Sequence, residues 1–204
     1  MPKQTFFNLK EEKRQTLIDA AKKEFSRVSL YDASISNILK TSGIPRGSFY
    51  QYFEDKEDIF FYLLNEDAKD RHEHFVSYLK NYDGDLFETM KGLFQSALEH
   101  SQERGKNDFI RNAILNMNYK IENTFAKVLN EETFSNRYME VYHLVNTKNL
   151  NISSERELFH VLQIIVAVTM HNLVHSFARD LPIETAVKNY TTELDLLKKG
   201  LCKY

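Results

Sequence analysis

In 204 residues, 42% hydrophobic, 13% aromatic and 27% charged, the chain carries the apolar content of a globular fold, which excludes a disordered or collagen-like chain. Six Gly and three Pro leave too few turn formers for a sandwich or barrel, so an all-α fold of about nine to ten helices is expected. The formal net charge of −2 is unevenly spread: residues 1–56 hold ten Lys/Arg against seven Asp/Glu, the remaining residues seventeen against twenty-two, so a slightly basic head precedes an acidic body.

Leu9, Leu17, Ile18, Ala21 and Phe25 recur at three- and four-residue steps and predict an amphipathic first helix ending near Val28. After the turn-like SLYDAS, Ser34 is placed to cap a short helix over 35–42 by accepting a bond from a first-turn amide. Gly43 stops that helix, and Gly43-Ile44-Pro45 connects it to RGSFYQYF over 46–53. Asp55 is a candidate N-cap for a long helix reaching about Tyr82, and Asp83-Gly84-Asp85 breaks it. Leu86 to about Glu103 reads as a further helix, and shorter helical patterns occupy about 108–119, 121–131 and 133–147. Ser154 and Glu157 have capping-box spacing for a helix reaching about Asp180, and Pro182 with Glu184 opens a last helix through about Cys202. The chain divides into residues 1–55 and 56–204, with no flexible linker between them.

A short helix, a turn containing Gly and a second helix of small and aromatic polar residues form a helix-turn-helix signature. Ile35, Ile38, Leu39, Ile44 and Phe49 supply its buried side. The second helix offers Gly47 and Ser48, small enough to let backbone approach phosphate, Arg46 and Gln51 to bond base edges, and tyrosine hydroxyls for phosphate oxygens. The segment SISNILKTSGIPRGSFYQYFEDKEDIF resembles the DNA-binding segment of the TetR family of bacterial repressors, over roughly residues 17–63. The matching features are Ser34 as cap, Gly43-Ile44, then Arg46, Gly47, Ser48, Phe49 and Tyr50, closed by Tyr52, Phe53 and Lys56. Ser29, Leu39 and Pro45 depart from the family pattern without removing a contacting group. The resemblance assigns phosphate contacts to Ser34, Ser48, Tyr50, Tyr52 and Lys56, and base contacts to Ser36, Arg46 and Gln51. It makes 1–55 a DNA-binding domain and 56–204 an effector-binding and dimerisation domain. The function it implies is a ligand-responsive repressor, released from a palindromic double-stranded operator by a small apolar or aromatic effector.

Residues 158–178 carry no charge and are long enough to span a bilayer. His160, Gln163, His171, Asn172 and His175 would each be costly in lipid, so no membrane partner is expected and the helix reads as buried on two sides. In the resembled family the last two helices pair with the same two of a second subunit, which implies a homodimer, with Ala167 and Ala178 allowing close approach. His171 and His175 stand at i, i+4, but no further ligand completes a set and no metal is expected. Among the aromatics and methionines of the body, Phe94, Phe109, Met117, Tyr138, Tyr142 and Met170 are the candidates for lining the effector cavity that the resemblance implies.

No Gly-rich phosphate loop, nucleophile elbow or HExxH motif is present, so neither an enzyme nor a cofactor is expected. The one cysteine, Cys202, has no intramolecular partner, and MPKQTFFNLKEEKRQ lacks the pattern of a signal peptide, which points to the cytoplasm. The competing class is a helical adaptor or scaffold that keeps the helix-turn-helix only as packing.

Overall fold

The computed structural model describes residues 1–105, 108–126 and 136–202. Among the described residues the fold is all-α, with no strand beyond an isolated bridge between Leu150 and Cys202. The helices are α1 (Gln4–Phe7), α2 (Glu11–Arg27), α3 (Ile35–Ser42), α4 (Arg46–Tyr52), α5 (Lys56–Asn81), α6 (Leu86–Arg104), α7 (Phe109–Leu115), α8 (Tyr119–Ala126), α9 (Asn136–Leu144), α10 (Glu155–Ala178) and α11 (Ile183–Leu201). Among the described residues α1 has no sequence-based counterpart, nor has a 3-10 turn over Thr147–Asn149. The expected helical stretches over 121–131 and 133–147 run partly outside the described residues.

Two compact units result, Met1–Ala68 with Arg104–Phe125, and Lys69–Glu103 with Ala126–Tyr204. The expected segment 1–55 lies wholly inside the first, which also takes in α7 and most of α8. The reason is the core. Leu17, Ala21 and Phe25 on the inner face of α2 meet Ile38 and Leu39 of α3, Phe49 of α4 and Ile59, Phe60 and Leu63 of α5, and Phe109, Ala113 and Ile121 belong to the same cluster. The Phe60 ring lies 5.0 Å from that of Phe25 and 5.3 Å from that of Phe109, edge to face in both pairs. Asn112 adds a polar lock: its side-chain amide donates to the carbonyls of Phe25 and Val28, 2.7 Å each, and so satisfies acceptors that the end of α2 leaves open.

In the second unit α10 and α11 are in contact, and Leu162, Ile165 and Leu173 of the one and Ala186, Tyr190 and Leu194 of the other are buried. Tyr190 is fully buried and stacks on Phe94 at 4.2 Å between ring centroids. Its hydroxyl meets Thr169 Oγ1 at 2.6 Å, which gives the polar end of a buried ring its hydrogen bond. Asn172 donates to Glu193 Oε2 at 2.6 Å, and Lys91 reaches both Glu88 and Asp195. α10 is long and apolar enough to cross a membrane by length and composition; here its apolar positions divide between this core and an outward stripe. Ser154 caps α10 by accepting from Glu157 N, while the Glu157 carboxylate accepts from Ser153 N, one residue away from the standard box.

The turn between α5 and α6 depends on Gly84, whose φ is +78. A Cβ there would sit 2.4 Å from Leu144 O and 2.7 Å from Asn146 N, and the Asn146 N–H donates to Gly84 O at 2.9 Å. Gly84→Ala is expected to lower stability by about 2–4 kcal/mol, from backbone strain plus the clash. Gly43→Ala, at φ +67 with open space around it, is expected to lose only the left-handed penalty of about 1–2 kcal/mol. Thermal unfolding of the two variants side by side checks the difference.

Candidate nucleic-acid interface

The helix-turn-helix is built locally as its sequence requires. Gly43 ends α3 in the left-handed region at φ 67, with its N–H bonded to Leu39 O at 2.9 Å, and Pro45 stands at the N-cap of α4 in extended conformation. Asp55 caps α5 by accepting from Asp58 N at 2.8 Å. Phe49 is fully buried and pins the inner face of α4, its ring 5.8 Å from that of Phe53. The outer face is thereby fixed: Arg46, Gly47, Tyr50 and Gln51 are exposed, Ser48 and Tyr52 half-buried. Ser36, in the first turn of α3, is exposed as well.

Ser34 occupies the N-cap position of α3, but its hydroxyl makes no capping bond, which corrects the expected cap. A carboxylate from another helix holds the start of α3 by other bonds. Glu24 of α2, only 6% exposed, accepts from Ser34 N and from the Asn37 side-chain amide through Oε1, 3.0 Å each, and from Arg27 through Oε2 at 2.9 Å. A full negative charge at a helix N-terminus meets the positive end of the helix dipole better than a neutral hydroxyl does. Burial alone would raise the Glu24 pKa; the bonds from Asn37, Ser34 and Arg27 outweigh it and hold the carboxyl below its ordinary value. The Ser34 hydroxyl is left half-buried and uncommitted to the helix.

Lys56 is half-buried and directed inward. Its ammonium donates to Ala33 O at 3.0 Å and to Tyr31 O, and lies 5.8 Å from the centroid of the Tyr31 ring. It therefore ties the start of α5 to the turn that leads into α3, and one of its three N–H groups remains for an outside acceptor. At Gly47 an added Cβ would meet no atom within 4 Å, so nothing in the chain itself requires a residue without a side chain there.

The six candidate effector residues do not form one group. Phe109 and Met117 belong to the core of the first unit or pack against it. Phe94, Tyr142 and Met170 lie in the second unit, Phe94 stacked on Tyr190 and the Tyr142 hydroxyl bonded to Glu155. The Tyr138 side chain lies outside the described residues. The sequence reading missed three buried polar atoms of the second unit, His72 Nδ1, Thr89 Oγ1 and Ser101 Oγ, which have no hydrogen-bond partner among the described residues. Their signal is only a polar residue in an otherwise apolar helix face. His171 and His175 stack at 6.2 Å between ring centroids, and among the described residues no group of three His, Cys, Asp or Glu is gathered for a metal. Along α10, Gln163, Ile164, Ala167, His171, Val174 and Ala178 form an exposed stripe, with Ile164 at 44% and Val174 at 37%.

Residues 85–201 match the family described as tetracyclin repressor-like, C-terminal domain, and residues 17–63 match bacterial regulatory proteins, tetR family. The uncharacterized HTH-type transcriptional regulator YdgC of Bacillus subtilis is 44% identical over 55 residues, 27% of this chain and 28% of that protein. The chain matches less than half the length of the curated relatives. Solved structures extend the likeness in fold to nearly the whole chain. Reduced Escherichia coli NemR has a TM-score of 0.64 at 16% identity, covering 95% of this chain and 98% of that one. Bacillus subtilis FadR in complex with stearoyl-CoA has a TM-score of 0.62 at 16% identity, covering 88% and 96%.

Proposed function

This chain belongs to the TetR family of bacterial regulatory proteins, and from that premise we propose that it is a ligand-responsive transcriptional repressor that reads a palindromic operator as a homodimer in the cytoplasm. The observation that carries the reading is the outer face of α4. Arg46 and Gln51 stand exposed on a helix whose inner face is locked by Phe49, and Gly47 is bare where the chain has room for a side chain. A bare backbone beside two base-reading side chains suits a partner that comes close to the helix from outside, as a phosphate backbone does. Arg46, Gln51 and Ser36 contact base edges, while Ser34, Ser48, Tyr50, Tyr52 and the free N–H of Lys56 contact phosphate.

Two copies dimerise through the last two helices, and the exposed stripe of α10 with Leu196 of α11, 63% exposed, supports that face. The dimer then sets two reading helices one turn of duplex apart. A small apolar or aromatic effector binds within the second unit, where Phe94, Tyr142 and Met170 supply apolar surface and His72 Nδ1 and Ser101 Oγ would receive a polar group. That FadR holds an acyl-CoA in its solved complex supports an apolar effector. Release is a population shift: the effector binds more tightly to a state in which α5 has moved and operator spacing is lost.

The test is selection of a site from a random duplex library, followed by anisotropy titrations at two salt concentrations. Arg46→Ala or Gln51→Ala is expected to lose about 1–3 kcal/mol of preference at one base position. Lys56→Ala is expected to weaken all duplexes alike and to flatten the salt slope. A library that yields no enriched site would refute the reading.

A further inference from the structure

The recognition helix has seven residues, Arg46–Tyr52, and like any α-helix it leaves the carbonyls of its last turn without a partner inside the helix. Phe49 O is taken by Phe53 N at 2.9 Å. The next three are all taken by residues more than forty positions earlier in the chain. Lys3 Nζ donates to Tyr50 O at 2.9 Å, Thr5 Oγ1 donates to Gln51 O, and Lys3 N donates to Tyr52 O at 2.8 Å. The segment that supplies these donors is anchored by apolar contact: Phe6 is fully buried, its ring 4.8 Å from that of Phe53 and 5.2 Å from that of Tyr62, and Pro2 is buried beside it.

The geometry points to residues 2–7 as a strap that sets the pose of the recognition helix, with Lys3 and Thr5 as positioning residues for sequence discrimination. This rests on the DNA-binding reading above. The carbonyls that the strap holds belong to Tyr50, Gln51 and Tyr52, the same residues whose side chains face the duplex, so every bond on the inner side fixes the angle at which a side chain leaves on the outer side. Base readout tolerates displacements of only about half an ångström, whereas phosphate attraction is long-ranged and forgiving. Loosening the last turn should therefore reduce selectivity before it reduces general affinity. The ammonium of Lys3 also sits at the negative end of the helix dipole, which makes this end of α4 stiffer than its sequence alone provides.

Lys3 and Thr5 are exposed while Phe6 carries the burial, so the polar bonds can be removed with the apolar anchor intact. In the full-length protein, Lys3→Met/Thr5→Val is expected to lose about tenfold in affinity for the site that the wild type selects, because binding must then order a last turn that the two lost bonds no longer hold in the free protein. Affinity for a scrambled duplex should fall only by what the loss of the Lys3 charge brings, and not at all in Thr5→Val alone, and the unfolding midpoint should move little. Amide hydrogen exchange, read without DNA, should accelerate over 46–53 and not over 86–104, and returning Ser at position 5, as Lys3→Met/Thr5→Ser, should recover part of both effects. If the wild type enriches a site and the double variant keeps its selectivity and exchange rates, the strap has no positioning role and this inference alone falls. Parallel loss on both duplexes together with a lowered midpoint overturns it in favour of plain destabilisation. A wild type that enriches no site overturns it along with the DNA-binding reading.

Discussion

Phe60→Ala is expected to destabilise the first unit by about 3–5 kcal/mol, the range for emptying a buried aromatic site. The ring is 2% exposed and stands between Phe25 of α2 and Phe109 of α7, so its loss opens a cavity shared by three helices. None of the three can close it alone, because each is held by other contacts, Asn112 on the α2 carbonyls among them. Such a loss is a large part of the roughly 5–15 kcal/mol that a domain has, and folded protein should become scarce near growth temperature. Phe60→Leu, which keeps most of the volume, is expected to recover more than half of the deficit. Denaturant titration of the two variants measures this. A loss below about 1 kcal/mol for the alanine variant would contradict the three-ring packing, since no well-packed Phe is removed so cheaply.

Glu24→Ala is expected to lose about 2–3 kcal/mol at neutral pH, because Ser34 N–H and the Asn37 amide lose the acceptor that organises the start of α3. The effect should depend on pH in one direction. The folded pKa lies below the ordinary 4.5, so the carboxylate's contribution is fully present above about that value and fades as pH falls through the lower, folded one. Glu24→Gln keeps an acceptor oxygen but carries no charge, and its stability difference from the wild type should shrink on acidification below pH 4.5 and be flat above it. Unfolding measured for both proteins between neutral pH and pH 3 tests this, and a gap that widened in acid would refute the assignment.

The helix-turn-helix was legible in the sequence because its signals are local. Gly43, Pro45 and Asp55 act on their own or adjacent residues through backbone geometry and capping, and Leu17, Phe25, Ile38 and Phe49 show their inner face by spacing alone. Ser34 was the instructive exception. A serine before a helix reads as a cap, but here an acidic side chain ten residues earlier holds the helix start instead, through the backbone N–H of Ser34 itself and the side-chain amide of Asn37. α1 escaped notice for a related reason. PKQTFF has too few residues for a period, and its meaning lies in carbonyls of a helix 46 and 47 positions away. Phe109 and Met117 looked like any other apolar residues of the body, and only the fold shows that they face Phe25 and its neighbours.

The compact unit that holds the helix-turn-helix is assembled from two separate stretches, Met1–Ala68 and Arg104–Phe125. A chimaera that grafts only the first stretch onto a relative's body would leave Phe25 and Phe60 to face foreign side chains and the carbonyls of Phe25 and Val28 without Asn112. Exchange of DNA specificity between relatives therefore calls for carrying 104–125 along with the amino-terminal stretch. Over evolutionary time, the two stretches should trade substitutions as one block, with changes at Phe25 or Phe60 answered at Phe109, while exposed positions such as Arg46 and Gln51, which the proposed function assigns to the operator, change without an answering change elsewhere.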